Sequence, residues 1–403
     1  MQHLICLTFA KLDVKSCLDI LLIKLLINVI LQALRISRKK VKNFLQMKYK
    51  KVFAVIFMMM IVMFITGCDL IENKSTKIGV AMPTQTRQRW NQDGANMERK
   101  LIDHGYNVDL EFGNNDIELQ IAQIDNMIDK GCKVIIIGAV DATALSAVLD
   151  KAKNSGVTII SYDRLIMNTD AIDYYATFDN LAVGTMQGEY IEEKLGLKEG
   201  KGPYNLEITA GSLDDNNTIF LFEGAMEILR PYIQSGQLVV KPGQVNLKQC
   251  AIPHWKEPIA KERMANILAT HYSSSHLDVA LCANDSTAIG VLDALRDFGY
   301  NTTNNPMPII TGQDCDRNNL KLIISGEQTM SIFKDTRTLA EQVVKMVNSI
   351  VNGKEPETND IGNYNNGVKF VPSFLVRPQF VDKSNYKEIL IDSGYYNESE
   401  FRE

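Results

Sequence analysis

The sequence predicts an α/β protein of two doubly wound parallel-sheet domains that face one another as a hinged clamshell. Three observations predict it. Val/Ile-rich strand-like runs alternate with helical stretches, the alternation starts again near the middle of the chain, and the segments left at the end are too few for a third domain.

The first unit opens with KIGVAM at 77–82, followed by a helix over about 91–104. NVDLEF at 107–112 leads to a helix near 117–130, KVIIIGAV at 133–140 to a helix over 144–154, and VTIISY closes the unit at 157–162. These runs are continuously apolar rather than alternating, as strands covered on both faces are. The second unit repeats the order: NLEITAG at 205–211, a helix near 218–232, QLVVK at 237–241 and a helix near 258–270. DVALCAN at 278–284, a helix over 288–298 and MPIITG at 307–312 follow. MSIF at 330–333, a helix near 336–351 and VKFVPSFLV at 368–376 complete the two units.

Ligands in open α/β sheets bind beyond the carboxyl ends of the strands. The residues there are mostly bidentate hydrogen-bonding groups: Arg87, Arg89 and Trp90 after the first run, Asp141 after the third, Asp163 and Arg164 after the fourth. The second unit supplies Asp214, Asp215, Asn216 and Asn217, then Asn284 and Asp285, then Gln313 and Asp314. Carboxylate, amide and guanidinium groups each engage two vicinal hydroxyls, so the set suits a sugar. Helix capping accounts equally well for Asp285 and better for Asp141 and Asp179, but not for Arg89, Trp90 or Arg164.

Of the chain's 403 residues, 45% are hydrophobic and 23% charged, an ordinary globular composition. The average hides a split: residues 1–67 hold eleven Lys or Arg against two acids, whereas the remaining 336 hold 32 basic and 46 acidic residues. An acidic body without a basic stripe excludes wrapping of a nucleic-acid backbone.

MKYKKVFAVIFMMMIVMFITGC, from Met47, has the parts of a signal peptide, and its apolar run of about fourteen residues is short for a membrane span, which needs about 20. ITGC resembles a lipobox, which makes Cys68 the lipid attachment site after cleavage and residues 68–75 a tether. Residues 47–67 are then the lipoprotein signal peptide, and 1–46, which do not fit ahead of one, are read as a start-site artefact. Cys6, Cys17, Cys68, Cys132, Cys250, Cys282 and Cys315 show no CxxC or CxxH spacing, so isolated thiols are expected rather than a zinc site or a disulfide framework.

VAMPTQTRQRW, SYDRLI, YYATFDN, GSLDDNNTIFLFEGAM, TGQDCD and SIFKDTRTLA resemble the extracytoplasmic sugar-binding proteins of ABC importers of the ribose/galactose/xylose type, nearest to the group that binds multiple monosaccharides. The resemblance runs from about Lys77 to the C-terminus. It implies the type I periplasmic-binding-protein clamshell with a three-segment hinge, an N-terminal lobe of 76–177 plus 336–368, and a C-terminal lobe of 178–335 plus 369–403.

It further implies an aldopyranose held by Arg89, Asp163 and Arg164 from one lobe. Asn216 or Asn217 with the preceding acids (Asp215 among them), Asn284, Asp314 and Lys334 come from the other, and Trp90 and Trp255 would face one another across the cleft. No D-x-[DN]-x-[DN]-G run occurs, so no metal is expected, and no cofactor. The implied partners are an ABC permease and a chemoreceptor, with the protein monomeric and anchored on the outer face of the cytoplasmic membrane.

Three other readings compete. A repressor core of the lactose type shares the fold but begins with a helix-turn-helix, where this chain carries a signal peptide. A sugar sensor for a membrane histidine kinase would differ from a transport receptor only in its partner. A glycosidase would need two carboxyls at a fixed gap across the substrate, which the adjacent Asp214 and Asp215 do not provide, so the chain is read as no enzyme.

Overall fold

The computed structural model describes residues 22–30, 58 and 75–401. Cys68 and nearly all of the expected signal peptide and tether lie outside the described residues. Among the described residues no helix is long and apolar enough to cross a membrane. The chain divides at Lys74–Ser75, and among the described residues every strand lies in Ser75–Glu403.

Its first sheet has six strands: β1 (Lys77–Met82), β2 (Asn107–Phe112), β3 (Val134–Ile137), β4 (Thr158–Tyr162), β5 (Tyr174–Phe178) and, from far along the chain, Ser373–Val376. The last of these pairs with β5, and the spatial order runs Ser373–Val376, β5, β4, β3, β1, β2. All five pairings are parallel.

The inner strands β1, β3 and β4 are buried on both faces and read as nearly unbroken apolar runs, whereas the edge strand β2, against expectation, alternates polar and apolar residues (NVDLEF) and is only half-buried. In β3, Ile135 and Ile137 enter one core and Val134 and Ile136 the other. The helices α1 (Gln88–Asp103), α2 (Ile117–Asp129) and α3 (Ser146–Asn154) cover these faces. Met97 and Leu101 of α1 join the Val134 core, while Ile124 of α2 and Leu149 of α3 join the Ile135 core.

From β5 the chain passes through α4 (Asn180–Leu195) into a second parallel sheet of β6 (Tyr204–Thr209), β7 (Leu238–Val239), β8 (Val279–Cys282) and β9 (Ile309–Ile310). The order is β7, β6, β8, β9. The helices α5 (Asn217–Ser235), α6 (Glu257–His271), α7 (Asp285–Asp297) and α8 (Arg317–Ser325) alternate with its strands. A parallel bridge from Gln313 to Ile332 adds β10 (Met330–Phe333) beyond β9.

The chain returns to the first lobe through α9 (Thr336–Val351), whose Leu339, Val343 and Val347 share the Met97 core, and through β11 (Ser373–Val376). It ends in the second lobe with β12 (Gln379–Asp382), antiparallel to β10. Three segments therefore cross between the lobes.

Two expectations are corrected. The last crossing lies between Val376 and Gln379, not at 368–369, because β11 pairs with the otherwise free edge of β5. The first helix starts at Gln88 rather than near residue 91. Its N-cap is Arg87, extended and without a side-chain cap bond, so the usual Ser/Asp/Asn signal is absent at the true start. Cys132, Cys250, Cys282 and Cys315 are free and buried.

Candidate binding cleft

The carboxyl ends of both sheets open onto one cavity of about 330 Å³. Ten of the eleven residues expected to bind ligand line it: Arg89, Trp90, Asp163, Arg164, Asp215, Asn217, Trp255, Asn284, Asp314 and Lys334. Asn216 does not. It is the helical-conformation N-cap of α5, and its neighbour Asn217 takes the inward position.

The centre of the cleft is a lattice of compensated charge. Arg89, in the first turn of α1, pairs with Asp163, places Nε 3.3 Å from Asp93 Oδ2, and reaches across the lobes to within 3.9 Å of Asp314 Oδ1. Lys334, in the hinge segment between β10 and α9, lies 3.1 Å from the same Asp314 oxygen. Arg164 donates through Nη1 to the carbonyls of Ala139 at 3.0 Å and Val140 at 3.3 Å, and its Nε lies 3.4 Å from Asp215 Oδ2 of the opposite lobe.

Burial works against the charge on Arg89, but Asp163, Asp93 and Asp314 outweigh it and hold the guanidinium protonated. Asp163 is likewise buried, yet Arg89 and Lys334 keep its carboxyl below the usual range. For Asp215 burial dominates over Arg164, and its carboxyl is raised. Such pairing consumes the charges within the protein and leaves the cleft suited to a neutral, hydroxylated ligand.

Backbone geometry aims these groups. Asp163 has a left-handed φ of 61°, unusual for a residue with a Cβ. Three donors fix its carbonyl: Tyr175 Oη at 2.6 Å, Thr177 Oγ1 at 3.0 Å and Asn217 Nδ2 at 2.8 Å. The Asn217 amide oxygen in turn accepts from Asn180 Nδ2 at 2.9 Å and lies 3.0 Å from Tyr175 Oη, whose single proton goes to the Asp163 carbonyl. Asn217 is thus a joint between the lobes, its amide already engaged by protein. Asn284 caps α7, its Oδ1 accepting from Thr287 N at 3.0 Å, which leaves Nδ2 for another partner.

Asp285, for which capping and ligand contact stood equal, is fully buried and does neither: its carboxylate accepts from Ser331 Oγ, Gln328 Nε2 and the Asp316 N–H. Asp179 does cap, accepting from Ala182 N at the start of α4, while Asp141 accepts within its own turn from Thr143.

The tryptophans are more deeply embedded than the sequence suggested. Trp90 is 4% exposed, belongs to the Val134 core, and lies under the guanidinium groups of Arg89 and Arg164 at 4.8 and 5.5 Å from its ring centre. Its polar loop offers no apolar neighbours in sequence, but the fold brings β1, β3 and α9 around the ring. Trp255 is 6% exposed and packs with Val183, Leu221, Ala283, Met330 and Ile332.

Asn180 and Asp316 line the cavity without having been singled out in the sequence, and Gln313, one of the strand-end groups, lines it although the resemblance does not place it among the ligand contacts. Asn180 Oδ1 and Gln313 Oε1 are buried and have no hydrogen-bond partner. Gln313 follows β9 and is reached by the strand-end argument; Asn180 follows β5 in the same way but stands beside Asp179, which caps the helix.

A family profile described as "Periplasmic binding protein domain" matches residues 78–355. The chain belongs to that family. This binding protein is 47% identical over 325 residues to the multiple sugar-binding periplasmic receptor ChvE of Rhizobium radiobacter, covering 81% of this chain and 92% of the relative. It is 33% identical over 327 residues to the D-xylose-binding periplasmic protein of Escherichia coli strain K12, covering 81% and 93%.

Among solved structures it is similar to an ABC transporter solute-binding protein from Clostridium phytofermentans with bound β-D-glucose, at 52% identity and a TM-score of 0.78, covering 81% of this chain and 100% of that one. The family is one of binding proteins with extracytoplasmic members, and the chain is a binding protein, not an enzyme.

Proposed function

We propose that this protein captures an aldopyranose monosaccharide of the xylose, arabinose, glucose and galactose class between its lobes and delivers it to an ABC sugar permease. The observation that carries the reading is the chemistry of the cleft. Its buried charges pair with one another, while two buried amide oxygens, Asn180 Oδ1 and Gln313 Oε1, lack partners and two indoles border the same space. Hydroxyl donors satisfy such oxygens, and the apolar C–H faces of a pyranose suit aromatic rings.

The names of its relatives support the same class: multiple sugars for the Rhizobium receptor, D-xylose for the Escherichia coli protein and β-D-glucose for the Clostridium structure. Arg89, Trp90, Asp163, Arg164, Asp215, Trp255, Asn284, Asp314 and Lys334 carry the binding in this reading, with Asn217 holding the lobes in register. A sugar that touches both lobes binds the closed arrangement better and shifts the population toward it, and the permease reads the closed surface.

The signal-peptide pattern and Cys68 support a lipid anchor on the outer face of the cytoplasmic membrane. The test is uptake: a strain lacking the protein loses high-affinity uptake of the sugar that the purified protein binds, and recovers it with the intact gene. Undiminished uptake refutes delivery to a permease and favours sensing. Loss of membrane attachment in Cys68→Ser checks the anchor.

A further inference from the structure

The turn that carries Trp255 is strained, and a residue of the opposite lobe fastens it. His254 and Trp255 both have left-handed φ values, 54° and 56°, in a region that favours glycine. Within the second lobe, the His254 N–H donates to Ser212 Oγ at 2.7 Å, and His254 Nδ1 lies 3.0 Å from Asp214 Oδ2. Gly211 leaves the space that the indole fills, since a Cβ there would lie 2.2 Å from Trp255 Cη2.

Backbone bonds from Trp255 N to the Ile252 carbonyl and from Lys256 N to the Pro253 carbonyl also lie within the second lobe, whereas one bond comes from the first lobe: Arg87 Nη2 donates to the His254 carbonyl at 3.0 Å. Among the described residues no carboxylate lies within ion-pair range of Arg87, so this backbone oxygen is its anchor.

We infer that Arg87 is a positioning residue for ligand retention: by bonding the Pro253–Trp255 turn from the opposite lobe, it seats Trp255 against the closed cavity and slows release of the bound sugar. The inference rests on the sugar reading of the cleft. A bond that exists only when the lobes are together acts on dissociation and leaves the encounter rate alone. Because its acceptor is backbone, its effect is the same for every sugar the cleft accepts.

Stopped-flow tryptophan fluorescence of the purified protein with D-glucose and D-xylose, wild type against Arg87→Ala, tests this. Release becomes about tenfold faster for both sugars, with association within about twofold of wild type. Ser212→Ala loosens the same turn without lining the cavity and speeds release in the same sense, and the double variant adds little to the larger single effect.

Unchanged release in Arg87→Ala overturns the inference, as does wild-type release in Ser212→Ala. A factor that differs several-fold between the two sugars also overturns it, by marking Arg87 as a direct ligand contact. A wild-type protein that binds no aldose brings down the sugar reading and the inference with it; sugar binding with an unaltered release rate in Arg87→Ala brings down the inference alone.

Discussion

Trp90→Ala separates a ring that serves only the ligand from one that also serves the core. The indole is 4% exposed and shares a core with Ile78, Val80, Met97, Val134, Ile136 and Leu339. An aromatic side chain buries about 150–250 Å², worth about 4–6 kcal/mol at about 25 cal/mol/Å² as an upper bound. Measured aromatic truncations cost about 3–5 kcal/mol.

The unit Ser75–Glu403, with roughly 330 residues, has an unfolding entropy of about 0.7 kcal/mol/K at about 2.1 cal/mol/K per residue. The loss therefore lowers Tm by about 4–7 °C. Arg89 and Arg164 also lose the ring face beneath them, about 0.5–2 kcal/mol each, so affinity falls together with stability. Differential scanning calorimetry without ligand, beside a sugar titration of the same variant, reads both. Wild-type Tm combined with lost affinity refutes the core role.

The same geometry fixes three further outcomes. Gly211→Ala drives a methyl into Trp255 and lowers stability by about 1–3 kcal/mol with weakened sugar binding, and a melt and titration like wild type would contradict the packing. Gln120→Leu strands the buried Gly138 carbonyl and Val140 N–H that Gln120 now bonds, costing about 1–3 kcal/mol each; denaturant unfolding reads the loss, and binding weakens because the adjacent carbonyls receive Arg164. Burial pushes the Asp93 carboxyl up to about 7 against the pull of Arg89 and Tyr162, and the Glu207 carboxyl up to about 7 against Tyr272 and Arg263. The folded protein then holds protons that the unfolded chain releases near pH ~4. Stability from these groups is present at low pH and is lost as pH rises through 7. Asp93→Asn therefore flattens the fall of Tm between about pH 5 and 8, and an unchanged slope contradicts the account.

The strands were legible because two-sided burial leaves a strong mark: β1, β3, β4 and β8 are buried along nearly their whole length, and their sequences are correspondingly apolar. The cleft was legible because parallel sheets put chemistry at strand ends, where Asp163, Asn284 and Asp314 stand. What sequence could not show depends on tertiary context. The sequence starts the first helix near residue 91, whereas it begins at Gln88 behind an uncapped Arg87. The partner of β11 is a free edge in the other half of the chain. Asn216 and Asn217 are chemically identical, and only the helical turn decides which one faces Asp163.

The central claim is that Arg89 and its carboxylates hold a neutral aldose in this cleft. Isothermal titration calorimetry of the purified protein, wild type beside Arg89→Met, against D-glucose, D-xylose, L-arabinose and D-galactose tests it directly. Each wild-type chain binds one sugar with favourable enthalpy, and affinity in Arg89→Met falls by at least about tenfold, since charge-assisted hydrogen bonds are worth about 1.5–3 kcal/mol. No heat with any of the four sugars, or equal affinity in the variant, would contradict it.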